Sequence, residues 1–196
     1  MTPLENKIRR ASSIRGLILG VVLLTLGILS FYVLTSDTGN AWLIVFSPII
    51  FSVFIPILIV LVFCFNLRKN IGGYWTFKQA VTGIFIMFAI SYVIQVIGRD
   101  VVFARVIEPG MVSKTQTAML RATTTMLKKS GANQATIDQK KADIQKQLAD
   151  EKNITVASII QGYVITVIFL FVFAVIFGAI LKKNPPERQI YNGTAE

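Results

Sequence analysis

The sequence contains no histidine and a single cysteine, Cys64. Those two absences exclude a Ser-His-Asp triad, a His/Cys metal site and an internal disulfide framework. Charge is scarce as well, at 15% of residues, where a soluble domain carries about 25%. Acidic residues are half as numerous as basic ones, 10 against 20, giving a formal net charge of +10. An excess of that size can signal nucleic-acid binding, but here the basic residues flank apolar runs. No nucleic-acid partner is therefore expected. With 54% hydrophobic residues over 196 positions, neither a disordered chain nor an ordinary cytosolic domain fits.

What is present is long uncharged segments. A helix crossing the roughly 30 Å hydrocarbon core needs about 20 mainly apolar residues. Residues 16–34, 41–67, 79–97 and 159–181 each lack Asp, Glu, Lys, Arg and His. The second run contains Pro48 and Pro56, where a helix would bend. The expected fold is all-α and membrane-embedded: one integral membrane domain over 1–196, with four transmembrane helices and an inserted segment over 98–158. The basic start at Lys7, Arg9, Arg10 and Arg15 suits a signal peptide. The apolar run that follows is too long for one and lacks a small-x-small cleavage site before Trp42, so it reads as an uncleaved anchor.

Orientation follows from Lys and Arg near the span ends. The N-terminal tail holds four, residues 35–40 none, residues 68–78 three and the C-terminal tail three. The 98–158 segment holds ten, but also six acidic residues, and long segments translocate largely regardless of charge. The expectation is a multi-pass protein of a bacterial inner membrane, with both termini cytoplasmic. Phe31, Tyr32 and Trp42 at one interface, and Tyr74 and Trp75 at the other, suit the aromatic belts.

The 98–158 segment is too long for a structureless loop in a compact protein. Val101, Val102, Phe103, Val106 and Ile107 either continue the third helix or lie on the bilayer, and Glu108-Pro109-Gly110 breaks the run. Residues 113–129 read as a helix with Met119, Ala122 and Met126 at i, i+3 and i+7. Gly131 suits a left-handed C-cap and Asn133 an N-cap. Residues 134–152 form a second helix with Ile137, Ile144 and Leu148 on one face. An extracytoplasmic α-helical hairpin between the third and fourth spans is expected. Its apolar stripe is thin and can serve to close the hairpin or to meet a partner. Met119, Met126 and Leu127 are the candidate partner contacts.

Inside the spans, Ser47, Ser52, Cys64, Thr82, Ser91, Gln95, Gln161 and Thr166 suit helix-to-helix or backbone hydrogen bonds. Arg99 and Asp100 fit interfacial charges. Gly16, Gly20 and Gly27 share a helical stripe and are the candidate helix-packing residues, either within the chain or between copies in a homo-oligomer. Ala174-x-x-x-Gly178 is a smaller match of the same kind.

The segment Gly72-Gly73-Tyr74-Trp75-Thr76-Phe77-Lys78-Gln79-Ala80, with Gly83, resembles a recurring stretch of the domain-of-unknown-function 4199 family. So do Val106-Ile107-Glu108-Pro109 and the ending Ala179-Ile180-Leu181-Lys182-Lys183-Asn184-Pro185-Pro186. The resemblance implies small bacterial four-helix membrane proteins with an insertion between the third and fourth spans. It implies no catalytic or ligand residue. With no clustered acid, base or metal ligand in view, no enzyme activity and no cofactor are expected. The function expected is a non-enzymatic accessory or scaffold subunit in the lipid bilayer, bound to other integral membrane proteins. The alternative is a small oligomeric transporter or channel, although no charge ring or polar stripe marks a pore.

Overall fold

The computed structural model describes residues 3–36, 46–47, 49–152 and 156–184. Residues 37–45 with Trp42, Pro48, Pro185-Pro186 and Asn192 lie outside the described residues, as does the Leu148 side chain. Among the described residues there are six helices: α1 (Pro3–Thr35), α2 (Ile50–Asn70), α3 (Phe77–Ile107), α4 (Met111–Lys129), α5 (Gln134–Lys152) and α6 (Val156–Leu181). The described residues form no sheet, only one antiparallel bridge between Trp75 and Lys183. Among the described residues, four helices are long and apolar enough to cross a membrane: α1, α2, α3 and Ile160–Leu181 of α6. At 1.5 Å per residue α1 reaches about 50 Å, longer than the hydrocarbon core, so its basic first turns extend past the apolar run.

Two helices depart from α geometry. Pro56 has no N–H to donate and would clash with the carbonyl four residues earlier. The preceding stretch, Ile50–Phe54, adopts π geometry, with the Ile55 N–H bonded to the Ile50 carbonyl. The wider turn absorbs the proline and keeps the helix continuous. In α3, Val96–Ile107 is likewise π-helical and ends with the Glu108 N–H donating to the Phe103 carbonyl at 2.7 Å. Residues 101–107 thus continue the third helix, one of the two expectations for them.

Tertiary contacts divide the chain into two compact units. The first is Met1–Val22 with Ile57–Ile94 and Val164–Glu196; the second is Leu23–Pro56 with Gln95–Tyr163.

In the first unit, α1 and α3 run parallel. A Cβ at Gly83 would meet Ile8 and Ser12, one at Gly16 would meet Met87 and Ile90, and one at Gly20 would meet Ile94. The numbers rise together along both helices, as first and third spans of an up-and-down topology require. α6 runs antiparallel to α3, matching Trp75 with Lys183, Val81 with Gly178 and Phe85 with Phe171.

The start of α3 is closed by a capping box. The Thr76 N–H donates to Gln79 Oε1 at 2.9 Å, and the Gln79 N–H donates to Thr76 Oγ1 at 3.4 Å. Just upstream, Gly72 and Gly73 adopt φ of 117° and 84°, which a Cβ would disfavour. Trp75 is a correction to the interfacial-belt reading. It is 1% exposed, and its indole Nε1 donates to the Leu181 carbonyl at 2.8 Å. Arg68 Nη1 reaches the same oxygen at 3.4 Å. The ring is therefore a clasp on the end of α6, while Tyr74 remains outward, with Lys183 Nζ 5.5 Å from its ring centroid.

In the second unit, α4 and α5 are in contact and are joined by a four-residue turn. The Ala132 N–H donates to the Leu127 carbonyl and the Gly131 N–H to the Lys128 carbonyl, a Schellman motif with Gly131 at φ 76°. Asn133 caps α5: its Oδ1 accepts from the Thr136 N–H at 2.8 Å and the Thr136 hydroxyl at 2.7 Å. Among the described residues of this pair, Ala118, Ala122 and Ile137 are buried.

Candidate functional site

Three features of the structure involve residues with functional potential: a glycine seam in the first unit, and an exposed stripe and a cleft in the second.

The seam separates the three glycines of the α1 stripe. A Cβ at Gly16 would lie 2.7 Å from the Met87 carbonyl oxygen, and one at Gly20 would lie 2.9 Å from Ile94 Cβ. Both distances are shorter than real Cβ contacts tolerate, so hydrogen is the only side chain that fits. Gly27 has nothing within 4 Å of its Cβ position. Gly178 is as tight as Gly16, 2.7 Å from Val81 Cγ2, and neighbours the fully buried Ala174 on α6. Gly83, which entered the sequence reading only through the family segment, faces the buried Ser12. Gly98, which that reading passed over, has Leu24 where its Cβ would stand. A glycine inside an apolar helix was the available signal in both cases.

The stripe lies on α4. Val112, Met119 and Met126 recur every seven residues, so each sits about 20° from the last, and all three are exposed. Leu127 is half-buried. Ala118 and Ala122 are buried on α4. Lys114, Arg121 and Lys128 repeat at the same spacing two positions on, roughly 200° around the helix.

The cleft, about 350 Å³, opens between the C-terminal end of α1 and the first half of α4. Phe31, Tyr32, Leu34, Thr35 and Ser36 line it from α1, and Ser113, Lys114, Thr117, Ala118 and Arg121 from α4. An aromatic cluster sets the α1 wall. The Phe31 and Tyr32 rings stand edge-on to each other at 5.2 Å and to Phe103 at 5.4 and 6.0 Å. Phe103 is 2% exposed and comes from the π-helical end of α3.

Hydrogen bonds fix which way the cleft hydroxyls face. Thr35 donates to the Phe31 carbonyl, Ser36 to Val33, Ser113 to Gly110 and Thr117 to Ser113, all at 2.8–2.9 Å. With their protons spent on their own helices, these oxygens offer lone pairs to the cleft. Donors on the lining come from the cations Lys114 and Arg121 and from the Tyr32 hydroxyl. The Lys114 ammonium is steered by Glu108, 2.9 Å away, whose side chain is only 17% exposed. The described lining carries no carboxylate, thiol or imidazole. The lining offers charge and hydrogen-bonding groups beside an apolar wall. Sequence reasoning missed the cleft; the run of hydroxyls and cations facing one side of α4 was its only trace.

Among the remaining residues singled out from sequence, Cys64 is fully buried on α2, packed as a small apolar residue. Arg99 and Asp100 are exposed on α3. Arg15, at the edge of the first apolar run, donates to Asn70 at 2.7 and 2.9 Å, the amide oxygen being placed toward the guanidinium it faces.

The fold and these features define a small all-helical protein with four apolar helices fit to cross a membrane, which makes it a multi-pass membrane protein by class. Residues 15–183 match the family model of DUF4199, described as a protein of unknown function. The chain belongs to that family. No curated protein and no solved structure matches it.

Proposed function

We propose that this protein is a non-enzymatic accessory or scaffold subunit of a larger assembly in a bacterial inner membrane. The spans anchor it, and α4 and α5 form a hairpin on the extracytoplasmic side that docks on a partner membrane protein. The single observation carrying this reading is the outward placement of the α4 stripe. Met119 and Met126 are 52% and 45% exposed, although a marginal two-helix element gains most by burying them. Flexible thioether side chains are well suited to adapt to a partner surface.

Orientation with both termini in the cytoplasm is part of the proposal. Its support is the shared end of the first unit, where Trp75 at the entry to α3 meets Leu181 at the exit of α6. Arg68 at the exit of α2 reaches the same carbonyl. Lys and Arg are frequent in these segments, as on cytoplasmic flanks.

The test replaces residues 113–152 by a short Gly/Ser linker and purifies the protein in mild detergent with mass spectrometry of what accompanies it. Membrane insertion is expected to persist, since span hydrophobicity suffices for it. Stoichiometric partners are expected to be lost. Unchanged partner stoichiometry in the deletion protein would overturn docking through the hairpin.

A further inference from the structure

We infer that the cleft between α1 and α4 is a phospholipid headgroup site, selective for headgroups that carry N–H or O–H donors. Four observations converge on this chemistry. First, the cleft lies where the apolar run of α1 gives out at Leu34, followed by Thr35 and Ser36 on the lining. A phosphate belongs at that depth, at the edge of the hydrocarbon core.

Second, the lining is divided in character. Phe31 and Leu34 give an apolar wall for the glycerol and upper acyl carbons, and Lys114 and Arg121 give the opposite wall two cations for the phosphate. Arg and Lys both pair with phosphate, Arg in a planar fork and Lys as a point charge. Third, the volume of about 350 Å³ lies at the lower end of the range for small-ligand pockets, matching a headgroup with its phosphate and not a whole lipid.

The fourth observation sets selectivity. Thr35, Ser36, Ser113 and Thr117 all donate to helix carbonyls, so their free lone pairs ask for donors from the ligand. Ethanolamine supplies three N–H groups and a glycerol headgroup two O–H groups. Choline, being quaternary, supplies none. The site therefore distinguishes lipids that share one phosphodiester by what hangs beyond it. A free phosphate ester shares the phosphate chemistry but gains nothing from the apolar wall.

The experiment is native mass spectrometry of the full-length protein released from micelles. Phosphatidylethanolamine, phosphatidylglycerol and phosphatidylcholine of identical acyl chains are titrated separately, with glycerol 3-phosphate and inorganic phosphate as soluble competitors. The first two lipids are expected to be retained about tenfold more strongly than phosphatidylcholine, a margin of about 1.4 kcal/mol. Millimolar soluble phosphates are expected not to displace them. Arg121→Gln with Lys114→Gln is expected to abolish the retention, and Thr117→Val to narrow the preference over choline. Lys128→Gln, outside the cleft, is expected to behave as wild type. Equal retention of the three lipids would overturn the proposal, and that arm requires no variant. Displacement by glycerol 3-phosphate at millimolar concentration would assign the cleft to a soluble phosphate ester and overturn the lipid reading.

Discussion

The indole Nε1 of Trp75 donates to the main-chain carbonyl of Leu181 at 2.8 Å, joining the entry of α3 to the exit of α6 across 106 positions of sequence. The contact answers a general problem of helix ends, where the last carbonyls have no partner in their own helix. Leu181 and Trp75 are both 1% exposed, so this carbonyl has little access to water. Trp75→Phe keeps most of the apolar volume and deletes the donor. The expected loss is about 1–3 kcal/mol, the penalty for leaving a buried acceptor short of its better partner. Unfolding of the purified variant in detergent, followed by circular dichroism, measures it.

The glycine seam gives a graded prediction. Gly16→Ala and Gly178→Ala force a methyl group to 2.7 Å from the Met87 carbonyl oxygen and from Val81 Cγ2, respectively. Overpacking of that kind costs about 1–3 kcal/mol. Gly27→Ala meets nothing within 4 Å and relieves a flexible position in a helix interior. Its expected effect is neutral to stabilising by roughly 0.5–1 kcal/mol. The three variants, compared by thermal unfolding in one detergent, should fall in two separate groups. Equal losses at Gly16 and Gly27 would contradict packing as the reason for the difference.

These two features show what the sequence carried and what it withheld. The spans were legible because crossing a hydrocarbon layer requires length and the absence of charge, both of which are local properties. The turn at Gly131 and the cap at Asn133 were legible for the same reason, since a Schellman motif and an N-cap involve residues a few positions apart. Thr76 and Gln79 form a T-x-x-Q box, which is equally local. Gly16, Gly20 and Gly27 are equivalent in spacing, yet only the first two have a neighbour at their height. Whether a second helix stands beside a given turn is a tertiary fact. Trp75 illustrates the same limit, because aromatic residues beside a span end suit both a headgroup belt and a clasp. The cleft combines residues about 80 positions apart, and the hydrogen bonds that turn its hydroxyls outward are invisible without coordinates.

The link between α4 and α5 tests local energetics. Gly131→Ala places a Cβ at φ 76°, a left-handed conformation costing about 1–2 kcal/mol. Asn133→Ala removes the acceptor for the Thr136 N–H and should cost about 1 kcal/mol. Hydrogen exchange should accelerate at the first amides of α5 in both variants. Amides of the four apolar helices should exchange as in the wild type.

Sidedness is tested by thiol labelling in a Cys64→Ala background, which removes the buried native thiol. Cysteine introduced at Asn133 should react with a membrane-impermeant reagent from outside intact cells lacking an outer barrier. Cysteine at Asn192 should react only after permeabilisation. The reverse pattern would place the hairpin in the cytoplasm.

Docking through the exposed stripe is the central functional claim, and a double substitution tests it most directly. Met119→Glu with Met126→Glu leaves the buried Ala118, Ala122 and Ile137 untouched, so the helix pair should remain folded. Burying two unpaired carboxylates at an interface is costly, and a docked partner should dissociate. Affinity purification in mild detergent with quantitative mass spectrometry, wild type beside variant at equal expression, reads the outcome. Partners stoichiometric with the wild type are expected to fall by about tenfold or more in the variant, while membrane insertion is unchanged. Full retention of those partners by the doubly substituted protein would contradict docking through the stripe.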